Sequence, residues 1–193
     1  MMEVVHPLPD AVILCGGQGQ RMGGRDKGLI KLAGRPLYQH VLAQLTPDGI
    51  GQVYLSANRN QAVYATSGLP VLTDSRPGYL GPLAGIEAAL MASQADWLLA
   101  VPCDMPQLPL DLLARLWEMR DAAPIIRATA GDRVQPLCCL IQRTVLPALQ
   151  MTLDAGQRAV MPWQNSVGVV EVAFNGDWMN ANSPAALAKL ALD

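Results

Sequence analysis

Charge is scarce in this chain. Asp, Glu, Lys and Arg make up only 16% of its 193 residues, where about 25% is usual, so the surface is lightly charged. The net charge of −2 at pH 7 supplies no general field to hold nucleic acid or an anionic membrane, and neither partner is expected. Histidine is rarer still, with His6 and His40 alone, and the four cysteines, Cys15, Cys103, Cys138 and Cys139, form no C-x-x-C pair. A zinc site therefore has poor material, and four buried free thiols in a reducing cytosol are the expectation. Long apolar segments are missing as well. MMEVVHPLPD has no basic n-region and the apolar run after it is five residues long, too short for a signal peptide or a membrane span, so the protein is read as cytoplasmic.

What the chain does have is apolar side chain, 51% of it against roughly 45–50% ordinarily. A domain of this length buries roughly 70% of the surface its unfolded chain exposes, so a sizeable core is available. No repeat, low-complexity tract or linker divides the sequence, and one domain over residues 1–193 is expected.

AVILC (Ala11 to Cys15), VYLSA (Val53 to Ala57), PVLT (Pro70 to Thr73) and WLLAVP (Trp97 to Pro102) are near-continuous apolar runs, as strands covered on both faces would be. Between them lie helical patterns. Pro36 to Leu45 places Leu37, Val41 and Leu45 four apart and ends at Thr46-Pro47-Asp48-Gly49; Pro82 to Ser93 and Leu110 to Arg120 are the others. Such alternation predicts βαβ units and a mainly parallel sheet whose ligand site lies at the strands' carboxyl ends. Later, PIIRATAGDR and VQPLCCLI suggest a hairpin around Gly131-Asp132, followed by a helix from about Thr144 to Ala155. Ser183 and Pro184 open the last helix as cap and first-turn residue.

Immediately after the first strand comes CGGQGQRMGGRDKG, a glycine-rich stretch with three basic side chains. Bare backbone N–H groups beside clustered cations are what phosphates require. It is not a dinucleotide fingerprint, because Met22 stands where the third glycine belongs, nor a P-loop, because Gly24 is followed by Arg25-Asp26. What remains, L-C-G-G-x-G-x-R-M-G-G-x-D-K-G, resembles the signature loop of nucleotidylyltransferases. RMGGRDKGLIKLAGRPL (Arg21 to Leu37), GPLAG (Gly81 to Gly85), PCDMP (Pro102 to Pro106), QPL (Gln135 to Leu137) and MNANSP (Met179 to Pro184) then look, in the same order, like the blocks of the molybdenum cofactor guanylyltransferases, the MobA-like proteins. The likeness covers nearly the whole chain.

That resemblance implies an α/β fold, a three-layer α/β/α arrangement of Rossmann-like, nucleotide-diphospho-sugar-transferase type with a mainly parallel sheet mixed at one edge. It implies GTP and molybdopterin as substrates, Mg²⁺ as cofactor and pyrophosphate as product, with GTP bound by the N-terminal part and molybdopterin by the C-terminal part. Other molybdenum cofactor biosynthesis proteins and apo-molybdoenzyme chaperones are implied as partners, and the chain is expected to be a monomer. Leu14, Cys15, Gly16, Gly17 and Gly19 would lie along the nucleotide, with Arg21 and Lys27 on the triphosphate and leaving group and Arg25 in solvent. Asp104, after a buried run, stands at a strand's carboxyl end. A hard carboxylate there ligates Mg²⁺ or caps a helix, and the resemblance favours the metal.

Asp74 matches an aspartate of the nucleotide site. Such a carboxylate accepts the N1–H and 2-amino donors of guanine or faces the ribose. Arg158 in AGQRAV is the candidate for the pterin substrate's phosphate, though Ala159 stands where the family usually has a second basic residue. Asn180 and Asn182 are candidates for metal or phosphate, and Asn182 equally for starting the last helix. Ser56 stands where relatives often carry an asparagine. Two rivals remain at this level: a cytidylyl- or other nucleotidylyltransferase, since the first loop is shared, and a non-catalytic carrier of the finished cofactor, which would need no metal carboxylate.

Overall fold

In a computed structural model, residues 8–16, 25–45, 49–78, 80–176, 178–181 and 184–190 are described. The apolar run before the glycine loop forms β1 (Asp10–Leu14), buried along its whole length. Because strand side chains alternate, Ala11 and Ile13 feed one core while Val12 and Leu14 feed the other. A strand apolar on both faces needs cover on both, and the helices supply it. α1 (Leu37–Leu45), α2 (Gln61–Ala65) and α4 (Leu112–Glu118) pack on the first face. α3 (Pro82–Ala92), α5 (Leu146–Asp154) and α6 (Val160–Val167) pack on the second. The result is the three-layer α/β/α arrangement that the sequence implied.

Besides β1, the sheet contains β4 (Val53–Ser56), β5 (Val71–Leu72), β6 (Trp97–Pro102), β7 (Ile125–Ala130), β8 (Arg133–Gln142) and β9 (Val169–Phe174), in the order β5-β4-β1-β6-β8-β7-β9. The pairs β5·β4, β4·β1 and β1·β6 are parallel, β8 runs antiparallel to both β6 and β7, and β9 is parallel to β7. The mixed part thus lies in one half of the sheet, around β8. From β1 the chain builds outward through β4 to β5, then returns over α3 to lay β6 on the other side of β1. That reversal creates a crevice at the carboxyl ends of β1 and β6, where open α/β sheets bind ligands.

A short β-hairpin, β2 (Lys31–Leu32) with β3 (Arg35–Pro36), turns through Ala33 (φ +47°) and Gly34 (φ +80°). It packs with α1 and with α7 (Pro184–Leu190), where Leu32, Leu37, Ala181 and Leu190 form a third small core. The sequence reading anticipated the Gly131 hairpin and most helices, but PVLT contributes only Val71 and Leu72 to a strand. α2, α6 and β9 were not anticipated. β9 was legible, since Val172 and Phe174 alternate inward between exposed Glu171 and Ala173. α2, at five residues, is too short for a helical period to register.

One close approach carries a prediction. Gly85 of α3 lies on buried Ser56 of β4, and a methyl at Gly85 would stand 2.4 Å from the Ser56 hydroxyl oxygen and 3.0 Å from Leu14 Cδ2. Gly85→Ala is expected to lower stability by about 1–3 kcal/mol, as overpacking generally does. Urea unfolding checks it, and Ser56→Gly in the same chain should recover most of the loss.

Candidate active site

At the crevice the ladder continues one residue past each strand: Cys15 N–H donates to the Ser56 carbonyl at 2.9 Å and Cys103 N–H to the Leu14 carbonyl at 3.2 Å. Cys15 and Cys103 are buried side by side as its floor; the chain surfaces at Gly16, while Asp104 stays largely buried. Into this opening reaches Lys27, from a single 3₁₀ turn (Lys27–Leu29), and its ammonium donates to Asp104 Oδ2 at 2.5 Å. The lysine side chain is 31% exposed and the carboxylate 13%. Both are thus desolvated in part, yet open to a small anion or cation.

The second half of the site is built on β4 and β5. Asp74 accepts from Asn58 Nδ2 at 2.8 Å on Oδ2, and its own N–H donates to Asn58 Oδ1 at 2.9 Å. This reciprocal pair fixes the carboxylate's orientation and leaves acceptor capacity for an incoming ligand. Burial pushes the Asp74 carboxyl above its ordinary value; the Asn58 bond pulls it back and nearby Glu87 adds a smaller push upward. Asn58 also stands beside Gly16, since a Cβ there would lie 3.8 Å from Asn58 Nδ2. Asn58 was missed in the sequence, where attention fell on Ser56. Ser56 instead points away into the packing with Gly85.

The loop carrying Asp74 is clamped from behind. Arg76 places Nε and Nη2 on the carboxylate of buried Glu87 at 2.9–3.0 Å and Nη1 on Asp154 at the end of α5, while the Ser75 hydroxyl donates to Glu87 Oε2 at 3.2 Å. An arginine forked over a buried carboxylate is among the stronger polar contacts available to a loop. The block around Pro136 is held similarly. Buried Gln164 donates to the Pro136 carbonyl at 2.8 Å and accepts from buried Arg127, which also engages Glu171. There the register slips, so that Arg127 faces Cys139 but Ala128 faces Gln135.

Of the other expected residues, Leu14 and Cys15 are buried at the crevice floor. Asn180 is half-buried, and the next residue, Ala181, donates its N–H to the Asp104 carbonyl at 2.8 Å, so the MNA segment borders Asp104. Arg158 is exposed between α5 and α6, apart from this cluster in the chain, and Arg25 is exposed. Gly17, Gly19, Arg21 and Asn182 lie outside the described residues.

The donor set fits a divalent ion of the magnesium kind. Among the described residues no group of three His, Cys, Asp or Glu side chains converges. Mg²⁺ usually takes one or two carboxylates and completes its shell with phosphate oxygens and water, and the Asp104 carboxylate would suit that role. Three buried thiols are pushed above their ordinary value. Cys103 is pushed well up by hydrogen bonding to Cys15 and by burial, Cys138 by burial and then Cys139, and Cys139 to about 12, chiefly by burial. No helix among the described residues is long and apolar enough to cross a membrane.

Comparison with known proteins agrees with this layout. Residues 11–167 match the MobA-like NTP transferase domain. The molybdenum cofactor guanylyltransferase of Serratia proteamaculans (strain 568) is 41% identical over 172 residues, 89% of this chain and 87% of that protein. The protein of the same description from Shewanella woodyi (strain ATCC 51908 / MS32) is 40% identical over 187 residues, 94% and 95% respectively. Among solved structures, molybdopterin-guanine dinucleotide biosynthesis protein A from Archaeoglobus fulgidus superimposes with a TM-score of 0.77 over 95% of this chain and 97% of that one, at 21% identity, and so shares the fold.

Proposed function

The chain belongs to the MobA-like NTP transferase family, and from that premise we propose that it transfers GMP from GTP to molybdopterin, forming the guanine dinucleotide cofactor and releasing pyrophosphate. The observation that carries this reading is the Lys27–Asp104 pair at the mouth of the β1/β6 crevice, with Gly16 opening beside it. In the transfer an oxygen of the pterin's phosphate bonds to the α-phosphorus while the bond to the pyrophosphate oxygen breaks. Two anions approach and a third departs, so neutralising charge is the main task. One cation 4 Å from a phosphate charge supplies about 1 kcal/mol in water and about 4 at an effective dielectric of 20, less than the roughly 8 or more that catalysis needs, so several groups must act together.

Lys27 holds the triphosphate and stabilises the leaving pyrophosphate, joined by Arg21 and by backbone N–H groups from Gly16 to Gly19. Asp104 would hold Mg²⁺, which would supply neutralisation of the phosphate charge. Asp74, oriented by Asn58, accepts the N1–H and 2-amino donors of guanine, which cytosine lacks in this arrangement. Arg158 is assigned to the pterin's phosphate, and Asn180 and Asn182 to the metal or a phosphate. The N-terminal part thus serves GTP and the C-terminal part molybdopterin within one domain. The reaction is assigned to the cytoplasm.

The purified protein, incubated with Mg²⁺, molybdopterin and each nucleoside triphosphate in turn, should yield a dinucleotide with GTP. Product with CTP and none with GTP overturns the reading.

Asp74 gives this specificity a pH dependence. Guanine binding needs the ionised carboxylate, and burial raises the Asp74 value. KM for GTP should therefore climb as pH falls, beginning above the range where ordinary carboxylates titrate. Stability runs the other way, because a raised folded-state value favours the folded protein at low pH and that contribution is lost as pH rises through it. Steady-state KM between mild acid and neutral pH checks the first effect. Asp74→Asn should weaken GTP binding and flatten the profile.

A further inference from the structure

A lysine on one 3₁₀ turn has little local structure to aim it. What holds this turn comes from elsewhere, the end of α2 and the residue before it. Tyr64, fully buried, donates its hydroxyl to Asp26 Oδ1 at 2.6 Å, and Asn60 Nδ2 donates to Asp26 Oδ2 at 2.9 Å, so both oxygens of the carboxylate preceding Lys27 are engaged. On the other side of Lys27, a Cβ at Gly28 would stand 2.3 Å from the same Tyr64 hydroxyl oxygen. The residues flanking the lysine are therefore both seated on one phenol. The phenol is itself fixed, packed edge-on to Tyr38 of α1 at 5.1 Å between ring centres. Asn60 reaches Asp26 from a left-handed backbone, φ +52°, which asparagine adopts more readily than most residues.

We propose that Tyr64 and Asn60 are positioning residues for the transfer reaction, acting through Asp26 to hold the Asp26–Gly28 segment so that the Lys27 ammonium points at Asp104 and the nucleotide's phosphates. The inference rests on Lys27 as the triphosphate ligand assigned above. Burial, with smaller pushes from Cys15 and Asp26, drives the Tyr64 value upward, so the phenol stays protonated and remains a donor to the carboxylate. Charge-assisted bonds of this kind are the ones worth building a platform from.

Tyr64→Phe keeps the ring and removes one hydroxyl; Asn60→Gly suits the left-handed backbone and removes the amide. Two readouts follow. Acylation of lysines by an N-hydroxysuccinimide ester, scored by peptide mass spectrometry, should be several-fold faster at Lys27 in Tyr64→Phe than in the parent, with exposed Lys31 as the reference. Turnover with GTP and molybdopterin should fall by about 10-fold, with GTP KM changing less, since misaimed catalytic groups cost rate. In a Lys27→Ala background the same Tyr64→Phe change should cost less than about twofold, because the group it aims is gone. Unchanged Lys27 labelling, or an equal loss of turnover in both backgrounds, overturns the proposal. Asn60→Gly should move both readouts in the same direction, less far, and decides the matter if Tyr64→Phe does not fold. A parent protein that makes no dinucleotide from GTP refutes the guanylyl reading instead, while the labelling comparison still tests the platform.

Discussion

Asp104→Ala is expected to lower turnover by about 10³-fold or more, because it removes the carboxylate proposed to hold a metal against the phosphates, and metal stabilisation of phosphoryl charge is worth several kcal/mol. The fold should survive. Lys27 loses this contact, but its side chain is 31% exposed and a cation that can reach water tolerates such a loss. The backbone bond from Ala181 to the Asp104 carbonyl does not involve the side chain at all. Steady-state kinetics at saturating GTP and an unfolding curve measure the two halves of this expectation. Asp104→Asn separates charge from shape: it keeps the size and loses the anion, and should be nearly as impaired. A variant retaining a tenth of the parent's activity would show that the metal sits elsewhere.

Lys27→Ala should lower turnover by about 10²–10³-fold, in line with the loss of one well-placed donor to a developing anion. It should also do something opposite in sign. In the structure the ammonium already occupies Asp104 Oδ2, so it competes with any cation for that oxygen. Removing it should tighten Mn²⁺ binding in the absence of nucleotide, a probe followed by electron paramagnetic resonance, while weakening the nucleotide. Loss of both affinities together would mean that the pair serves only to hold Asp104 in place.

Much of this was legible in the sequence because the informative signals are local. Five apolar residues running into glycines announce a buried strand ending at a loop, and WLLAVPC announces that Asp104 stands just past a strand's end. Contacts between distant segments were not legible. Asn58 looks like any turn asparagine until β4 and β5 pair and bring it to Asp74. Tyr64 reads as one aromatic in a polar stretch, and only folding sets it beneath Gly28. Arg76 and Arg127 carry no sequence motif, yet Arg76 reaches Glu87 of α3 and Asp154 of α5, and Arg127 reaches Gln164 and Glu171. The matching loop residues drew attention to Ser56 for the same reason. Position in a motif does not reveal which way a side chain turns, and this one turns toward α3.

The bond from Ala181 to the Asp104 carbonyl sets an order of assembly. A growing polypeptide acquires the parallel strands, Lys27 and Asp104 early, but Ala181, which bonds to the Asp104 carbonyl, emerges 77 residues after it. Until then the backbone at Asp104 lacks this tether, so a chain that has formed only β1, β4, β5 and β6 should hold nucleotide poorly.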